Sequence, residues 1–316
     1  MMRTVRLLLI LAVALTALLP AGCAGRSAPT DQVIATGGTK GVYYSYGVQL
    51  AEMAARHSES LTLTVAETSG SVSNLRMLAE GRAQFAIVAA DAVADAVAGR
   101  DQFDRPVDIR AVARIYDDYI QLVTRRDSSI EQIMDLPGHR LSLGPEGSGT
   151  DVVANRILEA AGFDAAAITN VPLGINESVE ALRAREIDAF FWQGGLPTSG
   201  VVELADEVDI RLVPLGELAE PLRQAYGPVY RLGTVPSGTY GIDTEVQTVA
   251  VPDYLVAAAS VDEDTVFEMT RLLFTHRSDM ARHVSAVSAL SVQNAIFTEP
   301  VGLHPGALRY YRENKP

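Results

Sequence analysis

The sequence predicts an α/β protein of two lobes, each a parallel sheet with crossover helices, and three observations carry that prediction. Strand-like and helix-like runs alternate from Val33 onward, the pattern of parallel sheets. Two glycine-rich stretches, VIATGGTKGVYYSYGVQLAEMAARH (33–57) and LSLGPEGSGTDVVANRILEAAGF (141–163), repeat one local order: short apolar strand, flexible turn, helix. At 316 residues the chain is long enough for two lobes with cores of their own.

The N-terminus reads as a targeting segment. Residues 1–6 hold two arginines, 7–19 are an apolar run, and Ala21-Gly22-Cys23 follows. The run is too short for a permanent span and has the plan of a secretory signal. Small residues before the only cysteine resemble a bacterial lipoprotein cleavage site, with Pro20 where Leu is usual. The expectation is a signal peptide over 1–22, lipidation at Cys23, and a polar lipid-anchor tether over 23–32. A plain signal peptide cut nearby is the alternative. Loss of Arg3 and Arg6 with residues 1–22 leaves 24 basic and 39 acidic residues, a net of −15. No cysteine then remains beyond the first residue, so disulfides and thiolate metal sites are excluded.

The elements that follow are justified in turn. Residues 61–66 alternate as a strand. Residues 71–79 put Val72, Leu75, Leu78 and Ala79 on one helical face, closed by Gly81. The apolar run 85–89 is a buried strand, and a helix is expected over 92–98. After the second glycine turn, 178–184 reads as a helix and 187–192 as a strand. The units NLRMLAEGRAQFAIV and SVEALRAREIDAFFW match loosely, as two lobes built to one plan would.

Charge and composition exclude some classes. Hydrophobic residues make up 48% and charged residues 21%, ordinary for a folded protein. The net charge of −13, without a basic patch, argues against nucleic acid. His276 and His283 share a helix face but lack a third ligand, so no metal is expected. His304 enters the C-terminal helix. EGSGT around Ser148 is not a G-x-S-x-G elbow, and GGTKG lacks the P-loop spacing. Asp117-Asp118, between Tyr116 and Tyr119, is a candidate paired-carboxylate site, but with no base or nucleophile near in sequence a structural or hinge role is preferred. No cofactor and no enzymatic activity are expected.

The chain resembles the solute-binding subunits of tripartite ATP-independent periplasmic (TRAP) transporters of the TAXI type, from about Ile34 to Asn314. The carriers are TGGTKGVYY (36–44), TSGSVSNLRMLAEG (68–81), ARIYDDYIQLV (113–123), DLPGHRLSLGPEGSGT (135–150), IDAFFWQGGLP (187–197) and LHPGALRYYREN (303–314). Lys40 and Arg185 depart from the family pattern. The resemblance implies a periplasmic-binding-protein fold, type II-like, with two lobes around a ligand cleft. Crossing strands fall near 121–125 and 249–258. Lobe I is then 33–123 plus 251–316 and lobe II is 124–250. Ligand is trapped by lobe closure, which presents a new surface to the membrane permease subunits.

Candidate site residues lie on both sides. A helix start offers unpaired N–H groups and about half a positive charge, a receptor for an anion. In the first lobe Thr36, Gly37, Gly38 and Thr39 offer N–H groups and hydroxyls to a carboxylate, and Tyr43 reaches back over it. Ser71 and Asn74 start the next helix, and Asp91 is an acceptor for an amino group. In the second lobe Ser148, Gly149 and Thr150 form the second helix start, and Trp192, Gln193 and Gly194 end a cleft strand. Capping is the alternative role for Ser71, Thr150 and Asp91, and core packing for Tyr43 and Trp192.

The expected function is a periplasmic receptor, anchored to a membrane through Cys23, that captures a small carboxylate or amino acid. Glutamate, glutamine and 2-oxoglutarate are the ligand class the resemblance implies. An exported sensor of the same fold, and a periplasmic enzyme, are the alternatives.

Overall fold

In the computed structural model, which describes residues 30–163 and 165–314, ten strands form one sheet. Strand β1 (Thr30–Ala35) leads through the first glycine turn to α1 (Val42–His57), β2 (Leu61–Ala66), α2 (Ser71–Ala79), β3 (Phe85–Ala89) and α3 (Ala90–Ala98). Strand β4 (Ile109–Arg125) follows, then β5 (Arg140–Ser142), α4 (Gly149–Ala160), β6 (Thr169–Asn170), α5 (Ile175–Arg183) and β7 (Ala189–Gly194). The chain continues through α6 (Ser199–Glu207), β8 (Ile210–Val213), α7 (Ala219–Tyr226), β9 (Arg231–Val235) and β10 (Val246–Ala258). Helices Glu263–Thr275 and Pro305–Glu313 dominate the C-terminal region.

The strand order is β2-β1-β3-β10-β4-β7-β5-β6, with β8 beside β4 and β9 beside β10. Strands β2, β1 and β3 are parallel, as are β7, β5 and β6. The 17-residue β4 and 13-residue β10 run antiparallel to each other and bridge the two parallel groups. Along β4, Ile109 to Tyr119 pair with β10, and Tyr119 to Thr124 pair with β7. Continuous ladders through both strands keep their backbone groups paired where the chain passes from one group to the other.

Hydrophobic patterning explains the layers. Strand β3 is buried along its whole length, as its unbroken apolar sequence requires. One core gathers Ile34, Tyr46, Leu50 and Phe85 with Leu272 and Tyr311 of the C-terminal helices. A second holds Val179, Phe190, Leu204 and Leu212 on the far side. A third joins both sides, from Leu75 and Val251 to Val153 and Ile157. The C-terminal helices thus return to the first parallel group, tied by Tyr311 Oη donating to the Val112 carbonyl at 2.8 Å.

Strands 61–66 and 85–89 and helix 71–79 stand at their expected bounds. Ala79 is exposed and not on the buried face, because the chain leaves the helix there toward Gly81, at φ 71°. The helix expected over 178–184 begins at Ile175, and the strand expected from 187 begins at Ala189. Asp188, just before that strand, accepts from the Arg140 backbone N–H at 2.8 Å. Strand β1 begins at Thr30, inside the stretch read as tether. The signal segment and Cys23 lie outside the described residues. Among the described residues no helix is long and apolar enough to cross a membrane, and no cluster of His, Cys, Asp and Glu forms a metal site.

Candidate functional site

A cleft of about 490 Å³ opens where four helices begin. Gly41 and Val42 at α1, Gly70 and Ser71 at α2, Gly149 and Thr150 at α4, and Gly174 and Ile175 at α5 all line it. The caps of α1, α2 and α5 are the glycines 41, 70 and 174, and none supplies a side-chain hydrogen bond. First-turn N–H groups without capping acceptors, at the positive ends of helix dipoles, suit an anion. Helix α4 differs: Ser148 caps it, accepting from the Asp151 N–H at 3.0 Å.

The two glycine turns work differently. None of Gly37, Gly38 and Gly41 has a positive φ; at Gly41 it is close approach that leaves little room for a side chain. A Cβ there stands 3.2 Å from the Gly38 oxygen and 3.4 Å from the Trp192 ring. In the second turn Gly144 adopts φ 95°, a left-handed conformation that side chains resist.

The cleft floor is a buried phenol–carboxyl cluster. Tyr43 Oη lies 2.6 Å from Asp253 Oδ1, 3.2 Å from Asp118 Oδ2 and 3.3 Å from Ser71 Oγ. Asp118 sits on β4 and Asp253 on β10, both fully buried, and Asp118 lines the cleft. A phenol has one proton to donate, and the 2.6 Å contact takes it. Asp118 Oδ1 and Asp253 Oδ2 are buried without a donor. Burial pushes the Asp118 carboxyl up to about 7. Burial first, then the Asp118 charge, push Asp253 well above the ordinary carboxylate range. A proton held between the two carboxyls relieves both the repulsion and the missing donor.

On the opposite wall Trp192 donates Nε1–H to Thr198 Oγ1 at 2.9 Å, which holds its ring against Gly41. The Thr150 hydroxyl accepts from the Gln193 backbone N–H at 3.2 Å. The Gln193 side chain is 6% exposed, lines the cleft, and has neither Oε1 nor Nε2 paired.

Of the residues expected at the site, Gly37, Gly38, Tyr43, Ser71, Gly149, Thr150, Trp192, Gln193 and Gly194 line the cleft. Thr36, Thr39, Asn74, Asp91 and Ser148 do not. Thr36 is fully buried, its hydroxyl donating to the Ala66 carbonyl at 2.8 Å. Asn74 Nδ2 donates to the carbonyls of Thr36 (2.6 Å) and Ile87 (2.8 Å), riveting the turn to β3. Thr39 is exposed at the rim and accepts from Asn176 Nδ2 at 3.1 Å. Asp91 faces away, accepting from Tyr230 Oη at 3.0 Å and the Ala92 N–H at 2.8 Å. Neither Ser71 nor Thr150 caps its helix: the Ser71 hydroxyl instead accepts from the Ala89 N–H at 3.0 Å.

Sequence reasoning weighed Asp118 but preferred a structural or hinge role for it, missed Asp253, and passed over Glu67 and Glu177, which with Asp118 line the cleft. Strand periodicity separates the aspartate pair: Asp117 Oδ1 accepts from Arg114 (2.7 Å) and Arg231 (2.9 Å), while Asp118 turns to the buried face. The signal for Asp253 was a carboxylate inside the apolar run VAVPDYLVAAA.

Solved structures with similar architecture share little sequence. A Streptococcus mutans structure from work on glutathione import via GshT and the cystine ABC importer TcyBC is 12% identical, covers 83% of this chain and 98% of that chain, and has a TM-score of 0.53. A ligand-binding component of an ABC-type import system from Staphylococcus aureus, with zinc bound, is 9% identical over 81% and 78%, at 0.51. A Xanthomonas citri protein bound to ATP is 14% identical over 90% and 94%, at 0.50. The shared feature is the periplasmic-binding-protein type of fold. The model of the NMT1-like family matches residues 34–314, and the chain belongs to that family.

Proposed function

We propose that this chain is an extracytoplasmic solute receptor of the TAXI type, which captures a small carboxylate and delivers it to TRAP membrane subunits. The observation that carries the reading is the convergence of three helix starts without side-chain caps on one cleft floored by β4 and β10. The ligand carboxylate takes those N–H groups, and glutamate, glutamine and 2-oxoglutarate are the candidate class. Lobe I is 33–123 plus 251–316, and lobe II is 124–250. Contacts between the two support a closing motion. On one rim Lys40 Nζ lies 2.8 Å from Glu203, and Ser199 Oγ donates to the Lys40 carbonyl at 2.7 Å. On the other, Arg156 lies 2.6 Å from both Asp95 and Asp101. Cys23 anchors the receptor to a membrane on its periplasmic face.

The test is a thermal-shift screen of the purified protein against amino acids, 2-oxo acids and dicarboxylates. A ligand at 100 times its dissociation constant adds about 2.7 kcal/mol of stability, several degrees for a chain of this size. Saturable stabilisation without turnover is the expected result; chemical conversion of the ligand overturns the receptor reading. A second reading is a receptor for an ABC-type importer, since the Staphylococcus aureus fold relative is a component of one. Uptake reconstituted with TRAP or with ABC membrane subunits separates the two.

A further inference from the structure

We infer that Tyr240, in the turn between β9 and β10, is a positioning residue that fixes the ring of Trp192 in the cleft wall through Thr198. The inference rests on the receptor reading above, since the ring borders that cleft, and it assigns a role to a turn that the cleft itself does not include. Tyr240 lines a separate groove, with Leu196 and Pro197.

Three observations point there. The first is backbone strain. Tyr240 adopts φ 56° and ψ 26°, the left-handed region where glycine is the default and a bulky side chain is an outlier. It stands between Gly238 at φ 84° and Gly241 at φ 73°, so the turn keeps a tyrosine where a third glycine would fit without strain. Such strain persists where the surrounding contacts over-determine it, and it gathers at functional sites. The second is the contact that holds the residue. Tyr240 Oη accepts from the Thr198 backbone N–H at 2.9 Å. Thr198 is fully buried, so the phenol is what keeps that N–H paired.

The third is the use of the Thr198 side chain. Thr198 precedes α6 as its cap residue but makes no capping bond. Its hydroxyl accepts the Trp192 Nε1–H at 2.9 Å and donates to the Gly195 carbonyl at 2.8 Å. An indole N–H can only donate and a hydroxyl has one proton, so both directions are fixed. Thr198 is thus held by its main chain to Tyr240 and by its side chain to Trp192. The ring it orients has little slack. A Cβ on Gly194 would stand 2.3 Å from Trp192 Nε1, and one on Gly41 3.4 Å from the ring. The indole therefore sits between the end of β7 and the start of α1, and its orientation sets the room at that helix start.

Trp192 is the only tryptophan of the chain, so intrinsic fluorescence reads its surroundings alone. Tyr240→Phe keeps the aromatic ring and removes the acceptor. In the ligand-free variant the emission is expected to shift and acrylamide quenching to rise, while circular dichroism and a cooperative melt stay native. Affinity for L-glutamate, by calorimetry, is expected to fall about 5-fold, the worth of one neutral hydrogen bond. Thr198→Val is expected to give the same spectral change, and Thr198→Ser, which keeps the hydroxyl, the wild-type spectrum. In the Thr198→Val background Tyr240→Phe is expected to add little. Wild-type emission and quenching in Tyr240→Phe, or a change that adds in full to that of Thr198→Val, overturns the positioning role and leaves the receptor reading standing. A Tyr240→Phe protein without a cooperative melt overturns it too, since a structural role then suffices. If L-glutamate fails to bind wild type, the fault lies with the proposed ligand class, and the spectra alone decide on Tyr240.

Discussion

Removing Arg156 tests whether the two halves of the molecule are held together by a buried charge network. Arg156, 7% exposed on α4, is 2.6 Å from Asp95 and Asp101 and donates to Tyr230 Oη at 3.0 Å. Asp95 is 2% exposed. Truncating one partner of such a pair leaves an uncompensated buried charge, at about 3–5 kcal/mol. Arg100 stays 2.9 Å from the other Asp95 oxygen, so Arg156→Met belongs at the lower end, about 3 kcal/mol. For a chain of this length, with about 2.1 cal/mol/K of unfolding entropy per residue, that is a fall in Tm of roughly 4–5 °C. Asp101 is the internal control: half-exposed, its pair is screened, and Asp101→Asn costs under about 1 kcal/mol. Arg156→Met combined with Asp95→Leu removes both charges and regains much of the loss. Urea unfolding at neutral pH, with Tm by calorimetry, reads all four proteins. An Arg156→Met protein within about 1 kcal/mol of wild type, or a double variant no better than the single, refutes the reasoning. Because the network joins α3 to α4, ligand affinity also falls in Arg156→Met although no cleft residue has changed.

Three further outcomes are expected. Trp192→Ala removes the ring that packs on Gly41 and costs about 2 kcal/mol or more of ligand affinity, near 30-fold, and Tyr43→Phe weakens binding too; unchanged affinity in both, by calorimetry, takes them out of the site. Gly144→Ala places a Cβ 2.8 Å from Thr150 Cβ at φ 95° and destabilises by more than about 1 kcal/mol. Gly162→Ala, at φ 80° with open space around it, costs less in the same denaturation series. Burial raises Asp118 from 3.8 to about 7, so the native state holds a proton that the unfolded chain has released. Its contribution is therefore complete below pH 4 and is lost as pH rises toward 7; Asp118→Asn flattens this slope in urea midpoints, and an identical slope in both proteins contradicts the assignment.

The sequence by itself determined the local architecture. Its periodicities place β2, α2 and β3 at their observed bounds, since apolar spacing and glycine stops are read within a few residues. Both glycine turns lead into helix starts that line the cleft, and Trp192 to Gly194 line it as the end of a strand. Only the tertiary structure decided which polar groups meet there. Asp91 and Asp118 both follow or sit within apolar strands, yet Tyr230, from residues far along the chain, draws Asp91 away. Asp253 reaches the floor because β10 pairs with β3 and β4 across more than a hundred residues of intervening chain. The number of free capping positions was likewise hidden, because Ser71 is taken by the Ala89 N–H and Gly70 is left to start the helix. Burial and long-range pairing set the protonation of a carboxyl and the partner of a hydroxyl, and neither is a property of neighbours in sequence.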